Sequence, residues 1–256
     1  MNFRNIESPH RYLETAVIAQ EAGKEMGARL DWMTIQPTII LDLGCGTGEH
    51  SAQLKNRYPD AAVIALDLSE AMIQHTKSVH HSVCLCADAL KLPLKNQSVD
   101  LIFANFLLPW QIDFSVLLRE CKRILRPNGL LMLTALGLDT LKEWQTFFGT
   151  HRLPQLIDMH DLGDQLVQEK FAEPVLDTDY YTLIYQEKEK FIRELFSSGM
   201  LNLSDAPFNL EAIPEKISAT FEVIFAHAFA PIKEEYAATD GVTKVPLTQL
   251  RRQLQK

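Results

Sequence analysis

Between Ile39 and Gly48 the chain reads Ile-Ile-Leu-Asp-Leu-Gly-Cys-Gly-Thr-Gly, an apolar run that ends in glycine at alternate positions. The run is long enough for a buried strand, and the residues after it, Glu49 to Leu54, can open a helix. Glycine has no Cβ, so a backbone rich in it can turn sharply and lie flat against a ligand. The first N–H groups of a helix have no partner within it. The spacing is neither the G-x-G-x-x-G of dinucleotide enzymes nor a phosphate loop, which would continue into Lys-Ser or Lys-Thr. An adenosyl ligand without phosphates fits such a turn, and S-adenosylmethionine is that ligand. Asp42, Gly44, Cys45, Gly46 and Gly48 are its candidate contacts here. A plain strand-turn-helix would use the same residues, so the loop alone decides nothing.

Corroboration comes from the strands that follow. Ala61 to Asp67 reads as a second buried strand ending in a carboxylate. In doubly wound sheets an acid roughly 20 residues beyond the glycines accepts the ribose hydroxyls. Asp67 is the candidate for that role, with Leu68 beside it and Ser69 capping a helix from Glu70 to Lys77. A third strand, Val83 to Cys86, delivers Asp88 and Ala89 to the adenine. A fourth, Val99 to Ala104, ends at Asn105. Each polar group has a plainer reading as a cap or turn residue. Four of them in order, each at a strand end, favour the cofactor.

Later segments complete the outline. Glu14 to Trp32 reads as a helix, separated from the first strand by Pro37. Phe114 to Leu125 carries an apolar stripe at 114, 117, 118, 121, 124 and 125. It stops at Arg126-Pro-Asn-Gly129, where proline and Asn-Gly favour a turn before a fifth strand, Leu130 to Ala135. Alternation of strands and helices implies an α/β, doubly wound parallel sheet. Beyond it come a mixed aromatic stretch to Gln155, a helix from Met159 to Phe171, a strand from Val175 to Tyr185, a charged helix from Glu187 to Phe196 and a last strand from Ile217 to Ala230.

Composition sets limits. With 256 residues and 46% hydrophobic content, the chain can bury one full core. No run reaches the about 18 apolar residues of a membrane span, and Met1 to Glu14 lacks an apolar signal core, so no membrane association is expected and the cytoplasm is the expected compartment. Cys45, Cys84, Cys86 and Cys121 form no C-x-x-C pair and read as reduced thiols. A net charge of −8 argues against a nucleic-acid partner.

Several segments carry a more specific resemblance over nearly the whole length. They are Leu41-Asp-Leu-Gly-Cys-Gly-Thr-Gly48, Ala87-Asp-Ala-Leu-Lys-Leu-Pro-Leu94, Asn105-Phe-Leu-Leu-Pro-Trp110, Asp139-Thr-Leu-Lys-Glu143, Leu156-Ile-Asp-Met-His-Asp-Leu-Gly-Asp164 and Phe221-Glu-Val-Ile-Phe-Ala-His-Ala-Phe229. The first two occur in most methyltransferases of this fold; the last two discriminate. Together they resemble the malonyl-[acyl-carrier protein] O-methyltransferase family of biotin synthesis. They also resemble a mitochondrial complex I assembly factor that binds the same cofactor but hydroxylates an arginine. The resemblance implies a Rossmann-like methyltransferase sheet of seven strands with the last antiparallel, in a single domain over 1–256. Its parts would be a helical cap (1–37), a cofactor-binding half (38–136) and two insertions (138–157 and 186–215) forming a substrate lid. It further implies methyl transfer from S-adenosyl-L-methionine, leaving S-adenosyl-L-homocysteine, to a malonyl group on acyl-carrier protein or coenzyme A, with no metal. Departures fall in the acyl-reading regions: Pro109 stands where glutamine is frequent, and Arg193-Glu-Leu-Phe-Ser-Ser-Gly-Met200 lacks the family's basic, Gly-rich character.

Tyr12 and Trp110 are candidates for positioning the methyl and the acyl group, or are plain core. His151, Arg152 and Arg193 are candidates for holding the substrate carboxylate, or are solvated. His75, His80 and His81 have no acid at ligand spacing and read as surface histidines. Asp158 and His160 read as a helix cap, and Asp164 as solvent-facing. Arg119, Lys122, Arg123 and Arg126 form a basic stripe that could meet an acidic carrier, or is simply the wet face of a helix.

Overall fold

A computed structural model describes residues 8–80, 83–107, 113–201 and 210–232. Its seven strands are β1 (Ile39–Leu43), β2 (Ala62–Asp67), β3 (Val83–Cys86), β4 (Val99–Ala104), β5 (Leu125–Leu136), β6 (Ala172–Tyr185) and β7 (Ile217–Phe229). They form one sheet in the order β3-β2-β1-β4-β5-β7-β6. The first five are parallel, and β7 runs antiparallel to both its neighbours. The chain leaves β1 toward β2 on one side and returns to β4 on the other. That reversal opens a crevice beyond the carboxyl ends of β1 and β4.

Helices cover both faces: α1 (Pro9–Thr15), α2 (Val17–Arg29), α3 (Glu49–Arg57), α4 (Glu70–His80), α5 (Phe114–Ile124), α6 (Gln145–Phe148), α7 (Met159–Gln168) and α8 (Lys188–Ser197). Successive strand residues feed opposite cores. Ile40 and Phe103 pack with Ala22, Met26 and Leu54 of α2 and α3. Leu41 and Ile102 pack with Leu117, Leu118 and Cys121 of α5 and with Leu162 and Leu166 of α7. Burial on both faces is why β1 and β4 read as apolar runs broken only by Asp42 and Asp100. On the first face Arg29 is buried with its guanidinium 3.9 Å from the Phe225 ring. It pairs with Glu25, Asp177 and Asp179, which ties α2 to the edge strand β6. No helix among the described residues is long and apolar enough to cross a membrane.

The structure corrects two boundaries. The expected single helix from Glu14 to Trp32 is two helices that part at Ala16, whose ψ of 48° lies outside the helical range. No proline or glycine marks the break. Instead the Gln20 amide donates to the Leu13 carbonyl at 2.7 Å and closes the corner. The turn expected at Arg126 to Gly129 is a bulge within β5: Val99 pairs with Leu125, and after a register shift Leu101 pairs with Leu130. Pro127 needs no ladder partner there, and Asn128 takes a φ of 62°.

Asp100 locks the sheet at its amino end. One carboxylate oxygen accepts the N–H groups of Thr38 and Ile39 at 2.8 and 2.9 Å and the Thr38 hydroxyl at 2.7 Å. Arg126 donates to the other at 2.7 Å. Partial burial works against the charged form, but these donors outweigh it and hold the carboxyl below its ordinary pKa. A depressed carboxylate stabilises the fold above the unfolded-state value and loses that contribution as pH falls through the folded-state value. Asp100→Ala should therefore cost about 1–3 kcal/mol at pH 7 in urea unfolding. The deficit should shrink below about pH 4, where the parent also protonates.

Candidate functional site

The three alternate glycines all take left-handed φ values: 74° at Gly44, 53° at Gly46 and 87° at Gly48. Gly44 and Cys45 both donate backbone N–H groups to the Leu66 carbonyl, at 2.8 and 3.0 Å, so the loop folds back over the end of β2. Gly48 ends the loop as the N-cap of α3. A Cβ there would lie 2.5 Å from Thr76 Cγ2 of α4, so only glycine allows the loop to close on that helix. The Thr76 hydroxyl completes the seal by donating to the Gly46 carbonyl at 3.0 Å.

Asp67 reaches back into this turn from the tip of β2. One oxygen accepts the Gly46 N–H at 2.9 Å and the other the Ser69 N–H at 2.8 Å. Burial raises its pKa, with the N–H groups of Ser69, Gly46 and Leu68 opposing the rise. Asp42 lies beneath the loop, almost fully buried, and accepts the Ser51 hydroxyl at 2.5 Å. Burial lifts it to about 6, although His50 and the Ser51 hydroxyl pull the other way. Asp42 thus ties β1 to the first turn of α3 through Ser51. Burial, with Asp42 and Asp67 nearby, also pushes the Cys45 thiol far up, so it stays a neutral packing group.

The remaining candidates divide. Tyr12 of α1 is half-buried, and a Cβ on Gly46 would stand 3.7 Å from its ring. Burial and then the charges of Asp67 and Glu49 keep its phenol protonated. Leu68 is an exposed large apolar side chain at 44%, beside the crevice. Asp88 is exposed and accepts the Leu90 N–H at 2.8 Å, and Ala89 packs against the second core. The Asn105 side chain is spent within the protein. Its amide donates to the Ala19 carbonyl at 2.7 Å and meets His50 at 3.2 Å, and its oxygen accepts the Thr134 hydroxyl at 2.8 Å. Asn105 therefore ties β4, β5 and α2 together, leaving only its backbone to meet a ligand. Sequence reasoning missed this because the partners lie 86 and 29 residues away.

The described parts of both insertions follow strands at the carboxyl end of the sheet. In 138–157 the Leu141 N–H donates to the Thr220 carbonyl at 2.6 Å and the Trp144 indole to the Ser218 carbonyl at 2.8 Å. Trp144 meets Phe191 of α8 at 5.0 Å between ring centres, and Tyr185 meets Phe191 at 5.1 Å. Arg152 is buried within the insertion, whereas His151 is exposed and folds over Gly149. Arg193 lies on the exposed face of α8. Trp110, Pro109, His81 and the residues 202–209 of the second insertion lie outside the described residues.

The expected basic stripe splits between α5 (Arg119, Lys122 and Arg123) and β5 (Arg126), and each member lies near one of the chain's own acids. Arg119 and Lys122 approach Glu169, Arg123 pairs with Glu120 at 2.8 Å, and Arg126 is held by Asp100. His75 packs edge-on against His10 at 5.3 Å. Asp158 caps α7 by accepting the His160 N–H at 2.7 Å, and Asp164 is exposed. Among the described residues, no cluster of three His, Cys, Asp or Glu side chains could hold a metal.

A doubly wound sheet with a final antiparallel strand and a glycine turn gripped by the β2 acid defines a methyltransferase. Residues 41–133 match the family described as Methyltransferase domain. The chain is 34% identical to malonyl-[acyl-carrier protein] O-methyltransferase from Methylovorus sp. (strain MP688), over 91% of this chain and 89% of that protein. It is 36% identical to the protein of that name from Gallionella capsiferriformans (strain ES-2), over 86% of each. The chain belongs to the malonyl-[acyl-carrier protein] O-methyltransferase family. Among solved structures, phosphoethanolamine N-methyltransferase 2 of Haemonchus contortus with S-adenosylhomocysteine shares the fold. Its TM-score is 0.62 at 19% identity, covering 90% of this chain and 60% of that one.

Gly48→Ala should lower stability by about 1–3 kcal/mol, combining the left-handed penalty with the Thr76 clash. Thr76→Ser removes the clashing methyl but keeps the bond to Gly46. In a double-mutant cycle it should recover only part of the packing share, because a Cβ on Gly48 still meets His80 Cδ2 at 2.8 Å, and it should leave the backbone share.

Proposed function

We propose that this protein transfers the methyl group of S-adenosylmethionine to the free carboxylate of a malonyl thioester on acyl-carrier protein, early in pimeloyl assembly for biotin. Coenzyme A is the alternative carrier; no nucleic acid, membrane or metal takes part, and the compartment is the cytoplasm. The observation that carries the reading is the glycine turn held by Asp67 opposite Tyr12. Three glycines keep the turn's side of this gap open, and Asp67, facing the N–H groups of Gly46, Ser69 and Leu68, keeps acceptor capacity on its carboxylate.

The residues fit an adenosyl ligand. Asp67 retains lone pairs for a ribose diol, and the exposed Leu68 side chain, with Ala89, offers apolar cover for adenine. Asp88 can accept the adenine amino group. Gly44, Cys45 and Gly46 border the methionyl arm, and Tyr12 borders the methyl. Bound S-adenosylmethionine supplies an electrophilic methyl on sulfur; the malonyl oxygen forms the new C–O bond as the C–S electron pair returns to sulfur.

No proton moves in that step. A malonyl carboxyl has a pKa near those of Asp and Glu, about 4, and is ionised at pH 7. The protein therefore needs no general base, which agrees with Tyr12 staying protonated. Its tasks are alignment and exclusion of water. Alignment can supply about 7–11 kcal/mol of barrier reduction. His151, Arg152 and Arg193, carried by the insertions, are the cations proposed to hold the acyl carboxylate, and the insertions would shield it from water. Trp110 is proposed to flank the acyl group.

Incubation with methyl-labelled S-adenosylmethionine and malonyl-carrier protein should yield labelled malonyl methyl ester and an equal amount of S-adenosylhomocysteine. Tight cofactor binding without turnover on malonyl-carrier or malonyl-coenzyme A would instead identify a hydroxylase, an assembly factor or a non-catalytic binder. In calorimetry, Asp67→Ala should weaken S-adenosylhomocysteine by about 10–100-fold, the worth of a charge-assisted pair of hydrogen bonds. Gly27→Ala, far from the crevice, should leave it unchanged.

A further inference from the structure

α2 and α3 touch at one point and then part. A Cβ on Gly23 would overlap the His50 ring, whereas a Cβ on Gly27, one turn later on the same helix, would meet nothing within 4 Å. Between the diverging helices lies a pocket of about 200 Å³, walled by Gly27, His50 and Leu54 with Phe103 among its lining residues. The pocket is partly open to solvent and is large enough for a ring the size of benzene. Lys24, Gln53 and Arg57 complete the lining.

The geometry points to a second ligand site here, for a small monocarboxylate with a compact apolar body. Phe103, Leu30 and Leu54 are buried and present only hydrocarbon, so the body of the ligand must be apolar. The two full charges in the lining are both cations. Their present partners are exposed acids: Lys24 bonds Glu21 at 2.6 Å, with side chains 59% and 48% exposed, and Arg57 bonds Asp31, itself 70% exposed. Solvent-facing pairs of this kind hold with less than about 1 kcal/mol, so an incoming carboxylate can compete for both cations. Arg57 offers the planar fork that matches a carboxylate.

A dianion fits less well. Leu30 follows the last residue of α2, and Leu54 and Arg57 belong to the last turn of α3, so two helix carboxyl ends border the pocket. Their partial negative charge opposes any anion, and a dianion more strongly, so a single charge set against the two cations is the most the pocket favours. This site is separate from the glycine turn and does not depend on the methyl-transfer reading.

Calorimetry on the full-length protein should detect sodium benzoate binding, with benzyl alcohol and phenyl phosphate each at least about tenfold weaker. Gly27→Leu fills the void and should abolish benzoate binding while the melting temperature holds or rises. Should Gly27→Leu fail to fold, the double variant Lys24→Gln/Arg57→Gln serves: benzoate should fall to the benzyl alcohol level. The proposal is overturned by no heat with benzoate to about 10 mM, by equal affinity for the alcohol, by tighter binding of the phosphate, or by benzoate binding that survives both sets of substitutions.

Discussion

The grip of Asp67 on the Gly46 N–H is the contact on which the rest of the site depends. It joins the tips of β1 and β2 through one side chain, and it does so from a buried position where a carboxylate is costly to ionise. That cost is offset by two backbone donors from different loops. The glycine turn in turn rests on α4 through Gly48 and Thr76, and on the sheet through Asp42 and Ser51. Loop, strand tip and two helices are therefore one unit. The crevice is rigid on this side before any ligand arrives.

Much of that unit is legible in the primary structure because its causes are local. Alternating glycines need left-handed backbone, and the acid closing β2 lies within reach of them. The apolar runs of β1 and β4 announce a sheet covered on both faces. Features that depend on distant partners are not legible. Nothing in the local pattern at Ala16 announces a corner, because the Gln20 amide that closes it has no characteristic spacing. Arg126 to Gly129 has the composition of a turn and becomes a bulge, because Val99 and Leu101 pair with residues on either side of it. Asn105 has the position of a ligand residue, yet its amide is taken by Ala19, His50 and Thr134.

Charge patterns mislead for the same reason. Read as one helix, the stripe of Arg119, Lys122, Arg123 and Arg126 looks available to an acidic carrier, yet Arg126 lies in β5 and only the first three on α5. In the folded chain Glu169, Glu120 and Asp100 absorb it. Arg123 also donates to the Leu92 and Leu94 carbonyls at 2.9 and 2.8 Å, so its work is to brace the segment between β3 and β4. Attention moves to the insertions, where Arg193 is exposed and the Trp144-Phe191-Tyr185 cluster fixes α8 against β6 and β7.

The corner at Ala16 divides labour between two consecutive helices. α2 is anchored in the core by Ala22 and Met26 and clamped by Arg29. α1, only seven residues long, packs instead on α4 and α8 and carries Tyr12 to the glycine turn. Parting α1 from the crevice would give up its contacts with α4 and α8 but none of those that hold α2 to the sheet. The corner thus sets a boundary inside the helical layer, across which the piece that carries Tyr12 can separate from the glycine turn at less cost than unfolding the domain.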